Sequence, residues 1–262
     1  MSATDAVRAL ADDPVRQAIL AGGATWALTA LGAAGVLALR QVRRRLLDGL
    51  LGFSAGVMVA ASCWSLLIPA MERGGVARAV VGLLAGAGAL FALDRALPHL
   101  HPQFEASVGP EGPRTDWSRT MLLVSAITLH NVPEGLAVGV AYAGGDWRAA
   151  TALALGIGLQ NVPEGLAVSV PLRREGLSRW RALWYGQLSA VVEPAAAGLG
   201  AAAVLAVGAL LPYALAFAAG AMVYVVVEEL IPETTRGGNV DVATLGFIAG
   251  FTVMMALDNA LG

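Results

Sequence analysis

The sequence predicts an all-α membrane protein with eight transmembrane helices, and three observations lead to this fold class. Hydrophobic residues make up 57% of the 262 residues and charged residues only 14%, and the mean hydropathy is +0.67. Apolar stretches long enough to cross a bilayer recur along the sequence. The 32 glycines are typical of transmembrane helices that approach each other closely through small residues. We therefore expect a single integral membrane domain in contact with the lipid bilayer.

The eight predicted spans follow a polar segment. Residues 1–21 are mixed in character and lack the basic-then-apolar pattern of a cleaved signal peptide, so we expect an amphipathic or frayed leader on the outer side. The transmembrane domain is expected to fill residues 22–262. Its apolar spans are Gly22–Leu39, Leu50–Ala70, Ala77–Leu93, Met121–Ala143, Ala149–Val170, Ala182–Val207, Tyr213–Ile231 and Val242–Leu257. The long connection at residues 94–118 contains four prolines and is expected to be irregular and mobile.

Arginine sets the predicted orientation, because the sequence contains no lysine. The connections after spans 1, 3, 5 and 7 hold twelve of the 17 basic residues. The side of a membrane protein that is rich in basic residues faces the cytoplasm. We therefore expect these connections, including residues 94–118, to lie inside and both termini to lie outside. The twelve are Arg40, Arg43, Arg44, Arg45, Arg95, Arg114, Arg119, Arg173, Arg174, Arg179, Arg181 and Arg236.

One eight-residue sequence, Asn-Val-Pro-Glu-Gly-Leu-Ala-Val, occurs twice and dominates the middle of the chain. The copies are Asn131–Val138 in span 4 and Asn161–Val168 in span 5. Each copy has a proline in third place, Pro133 or Pro163, which removes one backbone hydrogen bond and predicts a helix kink with a free carbonyl. Such breaks at membrane depth are tolerated where they line a cavity or are buried in protein.

A metal-capable side chain precedes each copy. His130 comes before the first copy and Gln160 before the second. Residues four apart on an α-helix lie on one face, a single turn apart. His130 therefore shares a face with Glu134, and Gln160 shares a face with Glu164.

Three carboxylates are expected deep in the membrane without a counter-ion. Glu134, Glu164 and Glu193 lie in spans 4, 5 and 6, and none of these spans contains an arginine. A charged side chain at this depth costs about 2.5–3.5 kcal/mol on an insertion scale. Because buried charge is normally tolerated only when it is paired, protons or metal ions must provide the compensation.

The surrounding donors favour a metal over protons alone. Imidazole with carboxylate suits zinc and its first-row neighbours, whereas an all-oxygen set suits magnesium or calcium. Asn131 and Asn161 offer amide oxygens, and Met58 in span 2 offers a thioether. Two glutamates on adjacent helices can also bridge a pair of metals. A methionine in an apolar helix is more often a packing residue, and a single buried histidine is often only hydrogen-bonded.

The doubled motif resembles a known family. His-Asn-Val-Pro-Glu-Gly in span 4 followed by Gln-Asn-Val-Pro-Glu-Gly in span 5 is similar to the ZIP (Zrt-/Irt-like) metal transporters, in particular their GufA-like bacterial branch. The resemblance extends over essentially all of the chain. It implies import of zinc or a related divalent metal (Cd²⁺, Fe²⁺, Mn²⁺ or Co²⁺) as cargo, not as a cofactor. It also implies a homodimer in the bacterial inner membrane.

The resemblance further implies a binuclear site and its ligands. By motif position, the first metal site would use Met58, His130, Glu134, Gln160 and Glu164. The second would share the two glutamates and add Asn131, Asn161 and Glu193. Some bacterial relatives carry an aspartate in place of Asn161, so the second site is expected to be weaker here. Spans 1, 4, 5 and 6 would move as a block against spans 2, 3, 7 and 8.

Access and release residues are expected near the helix ends. Glu72 lies at the outer end of span 2 and can attract incoming cations, while the inner candidates lie at span ends or in the long connection. For each of them the alternative is a solvated polar residue near a helix end. The inner candidates are Asp48, Glu229, Glu233, His99 and His101.

Taken together, the residues predict a divalent metal transporter and not an enzyme. The main alternative is an intramembrane zinc-dependent hydrolase, although no His-Glu-x-x-His arrangement occurs in the sequence. A proton- or sodium-coupled carrier of organic solutes would need solute-binding groups that spans 4 and 5 lack. The net charge of −2 gives no indication of a nucleic-acid partner.

Overall fold

The computed structural model describes residues 13–39, 42–99, 113 and 118–261. This part of the chain forms eight helices that are long and apolar enough to cross a membrane, which confirms the predicted fold class. The helices are α1 Pro14–Ala38, α2 Arg44–Gly74, α3 Val76–Ala96, α4 Arg119–Ala143, α5 Trp147–Arg174, α6 Arg179–Ala206, α7 Gly208–Thr235 and α8 Val240–Leu261.

Polar caps extend several helices beyond their apolar stretches. Helix α1 begins at Pro14, inside the segment predicted to be a leader, because the Asp13 carboxylate accepts a hydrogen bond from the Val15 backbone N–H at 3.0 Å. An acidic cap followed by proline is a strong helix start. Ser118, Asp146 and Ser178 cap α4, α5 and α6 in the same way. Residues 14–21 thus belong to α1, and residues 1–12 of the predicted leader lie outside the described residues.

The helices contain one break and two π-helical stretches that the sequence analysis did not predict. Helices α4 and α5 continue through Pro133 and Pro163 as single helices. The break occurs in α6, whose first half ends at Leu188 and whose second half begins at Glu193. Helices α2 and α7 contain π-helical turns at residues 61–67 and 226–230. Such turns are frequent at functional sites.

Glycines allow four pairs of helices to pack backbone against backbone. In each pair a Cβ added to the glycine would lie 2.0 Å from a backbone carbonyl oxygen of the neighbouring helix. The pairs are α1 with α5 at Gly32, α4 with α6 at Gly139, α2 with α8 at Gly56, and α3 with α7 at Gly86. This contact confirms the packing role expected from the glycine content.

The four pairs assemble into two groups. Helices α1, α4, α5 and α6 contact one another more extensively than they contact the rest, and so do α2, α3, α7 and α8. The two groups meet mainly where α5 packs on α2 and α8, and where α4 packs on α7. These are the blocks that the family resemblance implies. Their relative movement stays a prediction.

The connections rich in arginine all lie at one end of this bundle, because successive helices run in opposite directions. This end, termed the arginine-rich end, holds the last residues of α1, α3, α5 and α7 and the first residues of α2, α4, α6 and α8. Asp94 belongs to α3, so the α3–α4 connection begins later than predicted. Residues 100–112 and 114–117 of that connection lie outside the described residues.

Candidate metal site

The predicted site residues come together inside the bundle. Glu134 on α4, Gln160 and Asn161 on α5, and Glu193 at the start of the second half of α6 are all completely buried, with 0% of their surface exposed. Glu164 is half-buried one turn after Gln160. The break in α6 places Glu193 in the first turn of a helix, where the helix dipole favours a negative charge.

Four oxygen atoms in this group have no hydrogen-bond donor among the described residues. They are both carboxylate oxygens of Glu134, the amide oxygen of Gln160 and one carboxylate oxygen of Glu164. The Gln160 amide lies beside Glu134, but its N–H donates to Asn161 Oδ1 at 2.7 Å. Unsatisfied buried acceptors are rare in proteins and costly. A cation bound among them would satisfy all four.

The electrostatics also favour a cation. Glu164 interacts with the carboxylates of Glu134, Glu193 and Glu229. In the part of the chain that the structure describes, the ion pairs of arginine involve other acids. Glu134, Glu164 and Glu193 therefore lie near one another without an arginine partner among the described residues, as the sequence predicts.

In contrast, the groups assigned to the second metal position are engaged with one another. The Asn161 side chain donates to both oxygens of Glu193, at 3.0 and 3.1 Å, and to the Thr25 carbonyl at 3.2 Å. The Thr29 hydroxyl lies 3.5 Å from Glu193 Oε1. The neutral amide of Asn161 thus supplies hydrogen-bond donors to both oxygens of Glu193.

Asn131 and Met58, the two remaining predicted ligands apart from His130, are both buried in the bundle. Asn131 donates to the Ser189 carbonyl at 3.1 Å and so links α4 to the break in α6. Met58 is fully buried. Ser54, one turn earlier on the same face of α2, donates to the Gln160 carbonyl at 2.8 Å, so this face of α2 packs against α5.

His130 contacts Glu229, which the sequence analysis assigned to the inner end of a span and not to the metal site. Its Nε2 hydrogen-bonds Glu229 Oε1, and both side chains are buried. The interpretation of Glu229 as a solvated residue near a helix end is therefore wrong. The π-helical turn of α7 contains Glu229 and Glu228. Two carboxylates in an otherwise apolar span are a sequence signal for buried acids, as for the other three, but they do not indicate His130 as the partner.

An acidic cluster continues from Glu229. Carboxylate oxygens of Asp94, Glu228 and Glu229 lie within 4.8 Å of one another. His99 is fully buried, and its Nε2 lies 2.9 Å from Asp94 Oδ1. His99 is therefore not a solvated loop residue. His101, the other histidine of this connection, lies outside the described residues.

The remaining entry and exit candidates lie at the two opposite ends of the bundle. Asp48 is completely buried and forms an ion pair with Arg44 at 2.6 Å, so the solvated interpretation is wrong for it as well. The same guanidinium lies 2.7 Å from Glu233. Glu72, at the opposite end of α2, is exposed.

A cavity of about 80 Å³ leads from the site toward the arginine-rich end. It is lined, among others, by His130, Glu164, Glu229, Arg44, Arg174 and Glu233. The first three belong to the site, and the last three lie near the ends of α2, α5 and α7. The site is thus reached from the arginine-rich end.

Apolar packing separates the site from the opposite end. Val57, Leu153, Ile157 and Met254 are buried where α2, α5 and α8 meet. At Gly156 an added Cβ would lie 2.1 Å from the Met254 sulfur. This tight packing leaves the cavity open on one side of the site.

Several known proteins are similar in sequence to this chain over most of its length. The family described as "ZIP Zinc transporter" matches residues 114–258. Zinc transporter ZIPB of Bordetella bronchiseptica is 44% identical, with 95% of this chain and 82% of that protein covered. Zinc transporter GufA of Myxococcus xanthus is 42% identical, with 93% and 97% covered. Zinc transporter ZIP11 of Homo sapiens is 42% identical, with 95% and 98% covered. The chain is a member of the ZIP zinc transporter family.

Proposed function

We propose that this protein imports a divalent metal, with zinc as the first candidate, through a site between α2, α4 and α5. The observation that carries the proposal is the set of four buried oxygens of Glu134, Gln160 and Glu164 that lack a donor among the described residues. A polar set left unsatisfied in an apolar bundle is what a bound cation would require. Relatives named as zinc transporters support the same substrate class.

The ligand types suit zinc. The proposed ligands combine an imidazole, carboxylates, an amide oxygen and a thioether, and this mixture also accepts Cd²⁺, Fe²⁺, Mn²⁺ or Co²⁺. The metal is cargo and needs no cofactor. The proposed ligands are His130, Glu134, Gln160, Glu164 and Met58, with Asn131 as a further candidate.

The proposed direction of transport follows from the cavity and the arginines. The arginine-rich end is assigned to the cytoplasm by the positive-inside rule, which leaves both termini outside the bacterial inner membrane. Glu229 and the acidic cluster around Asp94 then lie beside the route from His130 to the cytoplasm. Glu72 lies at the outer surface, where it can attract cations. A homodimer, as implied by the family resemblance, completes the proposal.

Replacing Glu164 tests the site. Glu164→Ala is expected to abolish high-affinity zinc binding while the purified protein stays folded, because removal of an unpaired buried acid does not destabilise the metal-free state. Glu134→Ala is expected to behave in the same way. The measurements are zinc binding by calorimetry and the thermal unfolding temperature without metal.

Glu175→Ala is the matched control, since this exposed glutamate directly follows α5. It should leave zinc affinity unchanged. Equal zinc affinity in Glu164→Ala and the wild type would refute the assignment. Zinc-dependent cleavage of a peptide or lipid by the wild-type protein would instead favour the intramembrane hydrolase.

A further inference from the structure

Four polar side chains form a network at the arginine-rich end of the cavity. We define Arg44, Asp48, Glu233 and Asn239 as the inner-mouth network. The Arg44 guanidinium lies 2.6 Å from Asp48 Oδ1 and 2.7 Å from Glu233 Oε1. It also donates to the Glu233 backbone carbonyl at 2.6 Å. Asn239 donates to the other Asp48 oxygen at 2.9 Å. One guanidinium therefore joins α2 to α7 and is shared by two carboxylates.

The backbone of α2 and of the α7–α8 connection packs tightly around the inner-mouth network. Arg44 and Asp48 are four residues apart, so they share one face of α2. The connection between α7 and α8 closes over them at Gly237, where an added Cβ would lie 2.1 Å from Asp48 Oδ2. Asp48 is completely buried. Its charge is therefore compensated by Arg44 and Asn239, and water contributes little.

The network lies on the route from the proposed metal site. Arg44 and Glu233 line the same cavity as His130 and Glu164. An ion that leaves through this cavity must pass them. Arg236 adds a second guanidinium at 3.9 Å from Glu233 Oε2. The cavity thus ends at carboxylates that already hold positively charged partners.

Without Arg44, these carboxylates would suit a metal ion. Asp48 and Glu233 each contact the same guanidinium, at 2.6 and 2.7 Å, so both carboxylates face the position that the guanidinium occupies. Carboxylate oxygens are preferred ligands of divalent cations. A permeation route conducts only if its sites release the ion, and a tight site at the mouth would retain it.

A tethered cation prevents such retention. Arg44 stays attached to α2 beside Asp48, so its guanidinium competes with a diffusible ion at a high effective concentration. The Arg44 side chain is 31% exposed, so the guanidinium has room to move aside. Glu233 is the partner on α7, and its side chain is 18% exposed whereas that of Asp48 is 0% exposed, so the contact with Glu233 is the one that can open.

We propose that Arg44 is an internal competitor of the transported metal. The guanidinium occupies Asp48 and Glu233 when no ion passes, yields Glu233 to an arriving divalent cation, and then displaces that cation into the cytoplasm. This inference rests on the proposed function. It assigns to Arg44 control of the release rate, a role separate from that of the ligands around Glu164.

The test compares Arg44→Gln with Arg44→Lys and Arg45→Gln in the purified full-length protein. Zinc bound per chain is measured at a free zinc concentration that saturates the wild type, and zinc uptake is measured in proteoliposomes. Arg44→Gln should bind an additional zinc ion per chain and import zinc about tenfold more slowly, which corresponds to about 1.4 kcal/mol of extra retention. Arg44→Lys keeps the charge and should bind no additional zinc. Arg45→Gln removes the same charge from an exposed neighbour and should match the wild type.

Failure of the proposed function and failure of the role of Arg44 give different results. If the wild type binds no zinc, the proposed function fails. If the wild type binds zinc and Arg44→Gln adds none, the role of Arg44 is refuted while the function stands. An additional zinc ion that disappears when Asp48→Asn is combined with Arg44→Gln supports the inner-mouth network as its ligands.

A neutral variant keeps the inference testable if Arg44→Gln does not fold. Replacing Arg44, Asp48 and Glu233 together by Gln, Asn and Gln removes the competitor and the retaining ligands at once, and neutral replacement of a buried ion group is often tolerated. This variant should bind no zinc beyond the amount bound by the wild type, because the carboxylates that would retain an extra ion are gone. An additional zinc ion in this variant would show that Asp48 and Glu233 are not its ligands, and would overturn the inference.

Discussion

At the scale of single residues, the amide of Asn161 distinguishes the two proposed metal positions. Asn161 donates to both oxygens of Glu193, whereas an aspartate at this position would have no N–H to donate. The nearby Glu134 oxygens have no donor at all among the described residues. In the same buried surroundings, the Glu193 carboxylate accepts hydrogen bonds whereas the Glu134 carboxylate accepts none among the described residues. A bound cation would therefore stabilise Glu134 more than Glu193.

Asn161→Asp is accordingly expected to raise zinc occupancy of the second position. The substitution brings a new carboxylate against Glu193, and the low dielectric strengthens both their repulsion and their attraction to a cation. The metal-free protein should unfold at a lower temperature, while zinc per chain should rise. Asn161→Ala removes the amide without adding charge and serves as the control. Identical zinc stoichiometry in the wild type and Asn161→Asp would show that this residue does not tune the site.

At the scale of helices, glycine contacts set the spacing on which the site depends. Helix α7 carries Glu229 to His130, and α7 is held against α3 where Gly86 meets the Phe217 carbonyl. The same helix α3 contains Gly88, near which no atom lies within 4 Å of an added Cβ. The two glycines therefore have different roles although they are two residues apart.

Gly86→Ala is expected to destabilise the protein, because the new methyl group would lie 2.0 Å from the Phe217 carbonyl oxygen. Overpacking of this kind costs roughly 1–3 kcal/mol. Gly88→Ala has free space and should be neutral or stabilising by up to about 1 kcal/mol, since alanine favours a helix over glycine. Thermal unfolding in one detergent compares the two directly. Equal unfolding temperatures for the two variants would contradict the close packing of α3 on α7.

At the scale of the whole molecule, the proposed ligands join the two helix groups. Met58 belongs to the group of α2, α3, α7 and α8, as does Glu229, the hydrogen-bond partner of His130, whereas Glu134 and Glu164 belong to the other group. A metal bound among them would therefore connect the two blocks. The cavity toward the arginine-rich end and the apolar packing around Met254 describe one access state of such a two-block protein.

Zinc binding is expected to release protons from the side chains that bind the metal. Metal ligation requires a neutral imidazole and ionised carboxylates, so protons and zinc compete for the same groups. Apparent zinc affinity should therefore fall as the pH is lowered. Calorimetry in buffers of different ionisation enthalpy measures the released protons, and Glu164→Ala provides the control without high-affinity binding. Binding heats that do not depend on the buffer would contradict the prediction.

The sequence by itself determined the eight-helix class and the membrane location, and it predicted most of the candidate site. These features depend on local patterns, namely apolar spans of bilayer length and residues four apart on one helix face. The repeated motif therefore identified His130, Glu134, Gln160 and Glu164 without knowledge of the fold. Cap residues explain why helix ends were less well predicted, since Asp13 extends α1 beyond its apolar stretch.

Only the tertiary structure decided how these residues are partnered. His130 and Glu229 are separated by 99 positions, and Arg44 and Glu233 by 189, so no local pattern connects them. The break in α6 and the π-helical turn in α7 rotate Glu193 and Glu229 into positions that an ideal helix would not predict. The satisfied Asn161–Glu193 pair and the unsatisfied Glu134 oxygens differ only in their neighbours in space. Hydrogen bonding and charge compensation of a buried group depend on atoms within a few ångströms, and packing between distant parts of the chain determines which atoms those are.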